Sequence, residues 1–249
     1  CEAALALGIS DGTQAGYQAR LTRLQKKAAT GAPVKAITPR PKADTHDKVP
    51  RRTVPRVPHG WALDPTDTWV AIDFETATSD RCSACALGIA VVEHGEVTDS
   101  ATWYIQPPGN LYSPRNIRVH GITPDHTKDA RTFDALYPEI EPFLQGRRLL
   151  AHWADFDIGV LRALFDHYEI PKPKALYACS CRMAQQAFPM LENHKLPTVC
   201  AHCEIPLRHH DPASDAVAAG LVAVQCRHEL GAESIQEALG LLSLRQQPL

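Results

Sequence analysis

The stretch TWVAIDFETATSD, residues 68–80, places two carboxylates inside an otherwise apolar β-strand. Asp73 and Glu75 lie two residues apart, so on a strand their side chains point to the same face. Two adjacent carboxylates repel each other, and burying them is costly unless a cation or hydrogen-bond donors compensate. A hard divalent cation such as Mg²⁺ is the natural partner for clustered oxygens. The alternative is a strand end at which both acids are hydrated.

The composition of the 249-residue chain is that of an ordinary globular protein, with 44% hydrophobic and 22% charged residues. No apolar run approaches the roughly 18–20 residues that span a bilayer. The start, CEAALALGISDG, lacks the basic region of a signal peptide. We therefore expect a cytoplasmic protein with no membrane partner. The eight cysteines are expected to be reduced thiols rather than a disulfide framework.

Charge divides the chain into a basic leader and an acidic body. Residues 1–60 carry 11 Lys and Arg against 4 Asp and Glu, whereas residues 61–249 carry 15 against 24. The sequence predicts a short N-terminal segment that can form a helix (1–29), a basic proline-rich linker (30–60), a folded domain (61–230) and a C-terminal helix and tail (231–249). The linker either attracts nucleic acid by its charge or is a solvated tether, and its composition favours the tether.

The hydrophobic patterns of the folded domain predict an α/β architecture. Strands are expected at about 68–75, 84–93, 97–106, 147–153 and 175–180, with a loop over 107–126. Helices are expected at about 132–145, 155–170, 182–188, 195–205, 211–230 and 232–243. Three antiparallel strands followed by alternating helices and strands predict a mixed sheet of five strands flanked by helices.

A second pair of carboxylates lies where a predicted strand passes into a helix. The stretch LLAHWADFDIGVL, residues 149–161, carries Asp155 and Asp157 at this junction. The carboxyl end of a strand is where α/β folds tend to build sites. For Asp155 the alternative is a helix N-cap.

A further carboxylate lies in the first turns of the long helix, in RHHDPASDA, residues 208–216. Asp215 is surrounded by Ala, Val and Leu, so a charge at this position needs an explanation. His210 lies five residues before it. Asp211 is predicted as the helix N-cap, and the alternative for His209 and His210 is a surface pair.

The motifs DFET, AHWADFD and HHDPASD, in this order, resemble the three exonuclease motifs of the DEDD superfamily. The resemblance is to the subclass with a histidine base, which includes the proofreading ε subunit of bacterial DNA polymerase III and RNase T, and it covers about residues 66–230. It implies a ribonuclease H-like fold and a metal-dependent 3′–5′ exonuclease. Such an enzyme releases nucleoside 5′-monophosphates from the 3′ ends of single-stranded DNA or RNA, in proofreading or repair.

The resemblance also implies roles for individual residues. Four carboxylates are implied as ligands of two Mg²⁺ or Mn²⁺ ions: Asp73, Glu75, Asp157 and Asp215. His210 is implied as the general base, with an ordinary pKa near 6.5 that suits this task. Thr76 and His120 are implied to hold the terminal nucleotide, and the alternative for His120 is a residue that packs its loop.

The second motif departs from the family pattern at Trp153, where the family usually has asparagine. The indole could reshape the substrate groove, offer a surface for base stacking, or block the groove. This substitution supports an alternative function, a nucleic-acid-binding or polymerase-associated module with weak catalysis. If the chain is instead an active proofreading subunit, its partner would be a DNA polymerase subunit.

Two Cys-x-x-Cys pairs raise the question of a zinc site. Cys82 and Cys85 lie more than a hundred residues from Cys200 and Cys203. Buried free cysteines are common, so the sequence favours separate thiols over a shared metal.

Overall fold

The structure, a computed structural model, describes residues 67–249. The predicted N-terminal segment (1–29), the proline-rich linker (30–60) and the first residues of the predicted folded domain (61–66) lie outside the described residues. The strands are β1 (Thr68–Thr76), β2 (Ala84–Glu93), β3 (Glu96–Tyr104), β4 (Arg148–Ala151), β5 (Leu176–Cys179) and β6 (Gln247–Pro248).

These strands form one mixed sheet in the order β3-β2-β1-β4-β5-β6. β1 pairs antiparallel with β2 and parallel with β4, and β4 pairs parallel with β5. The prediction of a mixed sheet flanked by helices is confirmed, but the count of five strands is wrong. The sixth strand, β6, has two residues, one of them proline, and pairs with β5 at the sheet edge. Such a strand has no hydrophobic pattern of its own from which it could be predicted.

The helices are α1 (Pro114–His120), α2 (Pro124–Thr127), α3 (Phe133–Leu144), α4 (Asp157–His167), α5 (Ser180–Ala187), α6 (Leu196–Cys203), α7 (Pro212–Glu229) and α8 (Ile235–Leu241), with a 3₁₀ turn at Pro108–Asn110. None of the helices in residues 67–249 has both the length and the apolar character that a bilayer span requires.

The prediction of one loop over 107–126 is wrong, because α1 and α2 lie within it. Each of these helices begins at a proline, and a hydroxyl residue precedes it as the N-cap. The side chain of Ser113 accepts a hydrogen bond from Arg115 N, and Thr123 forms a capping box with His126. Proline interrupts a helix in its interior, but at the first helical position it is favoured.

Both faces of the sheet are covered, which explains the continuous apolar run of β1. Trp69 and Ala71 pack with α7 on one face. Val70 and Ile72 pack with α3 and α4 on the other face. The carboxylates of β1 therefore lie in a strand whose neighbours are buried on both sides.

Helix α7 approaches the sheet closely because β2 has a glycine at the contact. A Cβ atom on Gly88 would lie 1.9 Å from the carbonyl oxygen of Pro212, the first residue of α7. The side chain of Asp211 caps the helix by accepting a hydrogen bond from Ser214 N, as predicted. This contact fixes where α7 begins and hence where Asp215 lies.

We expect Gly88→Ala to lower the free energy of unfolding by about 3 kcal/mol or more, since the added methyl group meets backbone rather than a movable side chain. Urea denaturation followed by circular dichroism measures the effect. The matched control is Gly240→Ala in α8, where nothing lies within 4 Å of an added Cβ. The control should be neutral or stabilising by about 0.5–1 kcal/mol. Equal effects for the two variants would contradict the close approach of α7.

Candidate active site

Three of the four predicted carboxylates meet where β1 ends. Asp73, Glu75 and Asp215 each offer an oxygen, and these oxygens all lie within 4.8 Å of one another. β1 contributes the first two from the same face of the strand, and the start of α7 contributes the third. The side chains of Glu75 and Asp215 are 12% and 3% exposed.

Asp157 lies against the same strand end but outside that 4.8 Å group of the described residues. It is the first residue of α4, and its side chain is buried. Its Oδ1 accepts a hydrogen bond from the backbone N–H of Phe74 at 2.9 Å. Phe74 is the residue between Asp73 and Glu75, so this hydrogen bond attaches Asp157 to the carboxylate-bearing segment of β1.

Burial raises the pKa values of all four carboxyl groups, and repulsion between carboxylates adds to this rise at Asp73, Glu75 and Asp157. Burial, followed by repulsion from Asp157, Asp215 and Glu75, holds the pKa of Asp73 well above its ordinary value. Burial and the same kind of repulsion raise the pKa of Glu75 to about 8. Burial also raises the pKa of Asp157 to about 7 and that of Asp215 above its ordinary value. In the absence of a cation, the cluster therefore keeps protons at neutral pH.

The cluster offers several carboxylate oxygens as ligands for a divalent cation, and one of these oxygens lacks a hydrogen-bond partner. Oδ2 of Asp215 accepts a hydrogen bond from His210 N at 2.9 Å. Oδ1 of Asp215 is buried and has no hydrogen-bond partner among the described residues. A buried acceptor without a partner is costly. Hard carboxylate oxygens are the ligands that Mg²⁺ and Mn²⁺ prefer, so these residues fit the cations that the sequence predicts.

His210 lies beside the carboxylates, with its Nδ1 3.6 Å from Oε1 of Glu75. Its backbone is in the left-handed region, with a φ of 68°. Burial and the neighbouring His209 lower the pKa of His210. A lowered pKa keeps the imidazole neutral near pH 7, so that it is able to accept a proton.

His209 is a site residue whose role the sequence did not reveal. Its ring stacks on His210 with 3.9 Å between centroids, and its Nδ1 lies 3.1 Å from Oδ2 of Asp215. The sequence showed only a pair of histidines before a helix.

Thr76 and His120 lie together at the end of β1, where α1 is attached. Nε2 of His120 lies 3.2 Å from the carbonyl oxygen of Thr76. Asn116 strengthens the attachment, because its Nδ2 donates to the carbonyl oxygens of Thr76 at 2.8 Å and Thr78 at 3.1 Å. Asn116 and His120 are four residues apart, the spacing of one helix face. Because the sequence predicted a loop in this region, it did not indicate that Asn116 and His120 share a helix face.

The cysteine pairs take no part in the site. Within residues 67–249, the groups of possible metal ligands are two sets that share Asp215 and contain no cysteine. Cys85 and Cys200 are buried, and burial raises the pKa of each to about 12. They are buried free thiols in the core.

The sequence model of the RNase T exonuclease family matches residues 70–222, more than half of the chain. The chain belongs to this exonuclease family. The prediction of an enzyme, a 3′–5′ exonuclease of the DEDD superfamily, is thereby confirmed at the level of the family.

Curated relatives and solved structures agree with this assignment. DNA polymerase III PolC-type of Bacillus cereus is 29% identical over 162 residues, which are 64% of this chain. The PolC-type protein of Oceanobacillus iheyensis is 29% identical over 178 residues, or 70% of this chain. The chain spans 11–12% of the length of these relatives.

Among solved structures, the nuclease domain of 3′hExo, a DEDDh family member bound to rAMP, has a TM-score of 0.59 at 18% identity. The match covers 70% of this chain and 97% of that one. Exonuclease X in complex with 5′ overhanging duplex DNA has a TM-score of 0.55 at 16% identity, covering 68% and 98% of the two chains. These similarities show that the fold is shared.

The raised carboxyl pKa values predict how stability depends on pH without a cation. Because the pKa of Glu75 rises from 4.5 to about 8, its protonated form stabilises the folded state fully below pH 4.5. That contribution is lost as the pH rises through about 8. We expect the free energy of unfolding, measured by urea denaturation in EDTA, to fall across this window and to fall less in Glu75→Gln.

The matched control for this titration is Glu96→Gln, which changes an exposed glutamate of β3. It should show the same pH dependence as the wild type. A wild-type profile that is flat between pH 4.5 and 8 would mean that burial and repulsion do not raise the pKa of Glu75 as described.

Proposed function

We propose that the chain is a metal-dependent 3′–5′ exonuclease that acts on the 3′ ends of single-stranded DNA or RNA and releases nucleoside 5′-monophosphates. The observation that carries this proposal is the meeting of Asp73, Glu75 and Asp215 within 4.8 Å, with one buried oxygen of Asp215 unpaired. The position of His210 beside Glu75 adds a proton acceptor to the same place.

In this proposal two divalent cations, Mg²⁺ or Mn²⁺, are held by Asp73, Glu75, Asp157 and Asp215. When bound, such ions activate a water molecule and stabilise the leaving oxygen in phosphodiester hydrolysis. The carboxylates must then be ionised, so cation binding would displace the protons that burial and repulsion retain on them.

His210 would act as the general base. Its neutral imidazole takes a proton from the water that attacks the last phosphodiester. The bond between phosphorus and the 3′ oxygen of the preceding nucleotide breaks, and the terminal nucleotide leaves with its 5′ phosphate. His209 would keep the ring in place by stacking, and Oδ2 of Asp215 holds the His210 backbone N–H.

Thr76 and His120 would bind the terminal nucleotide. Their location supports this role. β1 continues from Glu75 directly into Thr76, and the ring of His120 contacts the carbonyl oxygen of Thr76. Asn116 would act as a positioning residue, since it joins α1 to this strand end by two hydrogen bonds to backbone carbonyls.

A proofreading role would place the chain beside a DNA polymerase. The similarity to DNA polymerase III PolC-type proteins supports this partner, although the match spans only 11–12% of the length of those relatives. The proposal includes both DNA and RNA as substrates, because one comparison structure contains duplex DNA and another contains rAMP.

The test uses 5′-labelled single-stranded DNA and its RNA counterpart, with Mg²⁺, Mn²⁺ or EDTA. We expect a ladder that shortens from the 3′ end only in the presence of a divalent cation. His210→Ala should lower the rate by about 10²–10⁴-fold, which is the usual contribution of a general base. Asp73→Asn should lose activity at least as severely.

The matched control is Asp99→Asn, which changes an exposed carboxylate of β3 and should retain full activity. Binding of the strands without any shortening by the wild type would reject the exonuclease proposal. The chain would then be a nucleic-acid-binding or polymerase-associated module with weak catalysis.

A further inference from the structure

The turn between β4 and α4, residues 152–156, exposes a large aromatic side chain just before the helix that begins at Asp157. Trp153 is 63% exposed, whereas Trp69 of the same domain is fully buried. Its φ is 71°, in the left-handed region that bulky residues rarely adopt. The turn leads into Asp157 four residues later. An exposed indole on a strained backbone needs an explanation that core packing does not supply.

The backbone on both sides of the indole is held in place. The ring of His152 lies between Ser180 Oγ at 3.1 Å and the carbonyl oxygen of His194 at 2.8 Å. The backbone N–H of Phe156 donates to the carbonyl oxygen of Trp153 at 2.9 Å. The side chain that follows, Ala154, is buried. The turn is therefore anchored in the domain while its indole points out of it.

Aromatic and cationic groups surround this turn. Phe156 is 38% exposed, and the guanidinium of Arg81 lies 5.9 Å from its ring centroid. Nη1 of Arg81 also donates to the carbonyl oxygen of Asp155 at 2.9 Å. The carboxylate of Asp155 pairs with Arg182 at 3.2 Å. Exposed rings together with arginines are the side chains that bind single-stranded nucleic acid, through base stacking and phosphate contact.

We propose that Trp153 is a stacking platform for an unpaired nucleobase of the substrate strand, one that precedes the terminal nucleotide, and makes the site selective for single strands. This inference rests on the proposed exonuclease function and names a specificity determinant of the same site. The indole can cover only a base whose face is open, and the bases inside a duplex are covered on both faces. Purines, which have the larger rings, are bound more tightly than pyrimidines.

The kinetic test compares wild type, Trp153→Ala and Trp153→Phe on a single-stranded purine oligonucleotide with Mn²⁺. A second substrate is the p-nitrophenyl ester of thymidine 5′-monophosphate, which has no second base. We expect Trp153→Ala to raise the KM for the oligonucleotide about tenfold, with kcat and hydrolysis of the small ester unchanged. Trp153→Phe keeps a ring and should retain most of the affinity. Met190→Ala, at another exposed apolar residue, should change nothing.

A binding measurement keeps this inference separate from the proposed catalysis. The fluorescence of Trp153, taken as the difference between wild type and Trp153→Phe, is followed in EDTA during titration with a purine oligonucleotide or an abasic strand of the same length. Stacking should quench this fluorescence saturably with the purine strand and not with the abasic one.

Two results would overturn the inference. Equal quenching by the purine and abasic strands, or none by either, would show that no base stacks on the indole, whether or not the protein is a nuclease. An unchanged or lowered oligonucleotide KM in Trp153→Ala would show that the indole is neutral or obstructs the groove. If neither substrate is hydrolysed by the wild type but selective quenching persists, the exonuclease proposal fails and the stacking platform stands.

Discussion

The repulsion among buried carboxylates at the end of β1 is the constraint on which the rest of the site depends. β1 is covered on both faces, and Asp73 and Glu75 are only partly exposed to water. The start of α7 brings Asp215 to the same place, and Asp157 is attached through Phe74 N. Such an arrangement is unfavourable alone and becomes favourable when cations occupy it. The large apolar layers on either side supply the stability that this local cost requires.

The negative charge of the carboxylate cluster also affects how a nucleic acid would bind. Residues 67–249 carry 15 Lys and Arg against 23 Asp and Glu, so the described part of the chain has no excess positive charge with which to attract a polyanion. Neutralisation of the carboxylates by divalent cations would therefore strengthen binding. Contacts that do not depend on net charge gain importance, such as stacking on Trp153 and hydrogen bonds at the end of β1. The basic residues of the chain are concentrated in residues 1–60.

The sequence predicted those parts of the molecule whose patterns are strong and local. β1, the β2–β3 hairpin and α7 follow from hydrophobic runs and from a capping Asp211. The short helices α1 and α2 did not follow, because proline at a helix start looks like proline in a loop. β6 is too short to carry a pattern. The four carboxylates could be proposed as ligands from their surroundings and the motif order. The contacts of Asn116 arise only when α1 meets the distant end of β1, and those of His209 lie within the turn before α7.

The most direct test of the central claim is calorimetric titration of the full chain with Mn²⁺ near neutral pH, in two buffers of different ionisation enthalpy. The account predicts saturable binding of two ions with release of protons, because Glu75 and Asp157, with pKa values of about 8 and 7, hold protons in the cation-free protein. Asp73→Asn should weaken this binding severely. The absence of Mn²⁺ binding, or binding that releases no protons and is unchanged in Asp73→Asn, would contradict the claim that this carboxylate cluster is a cation site.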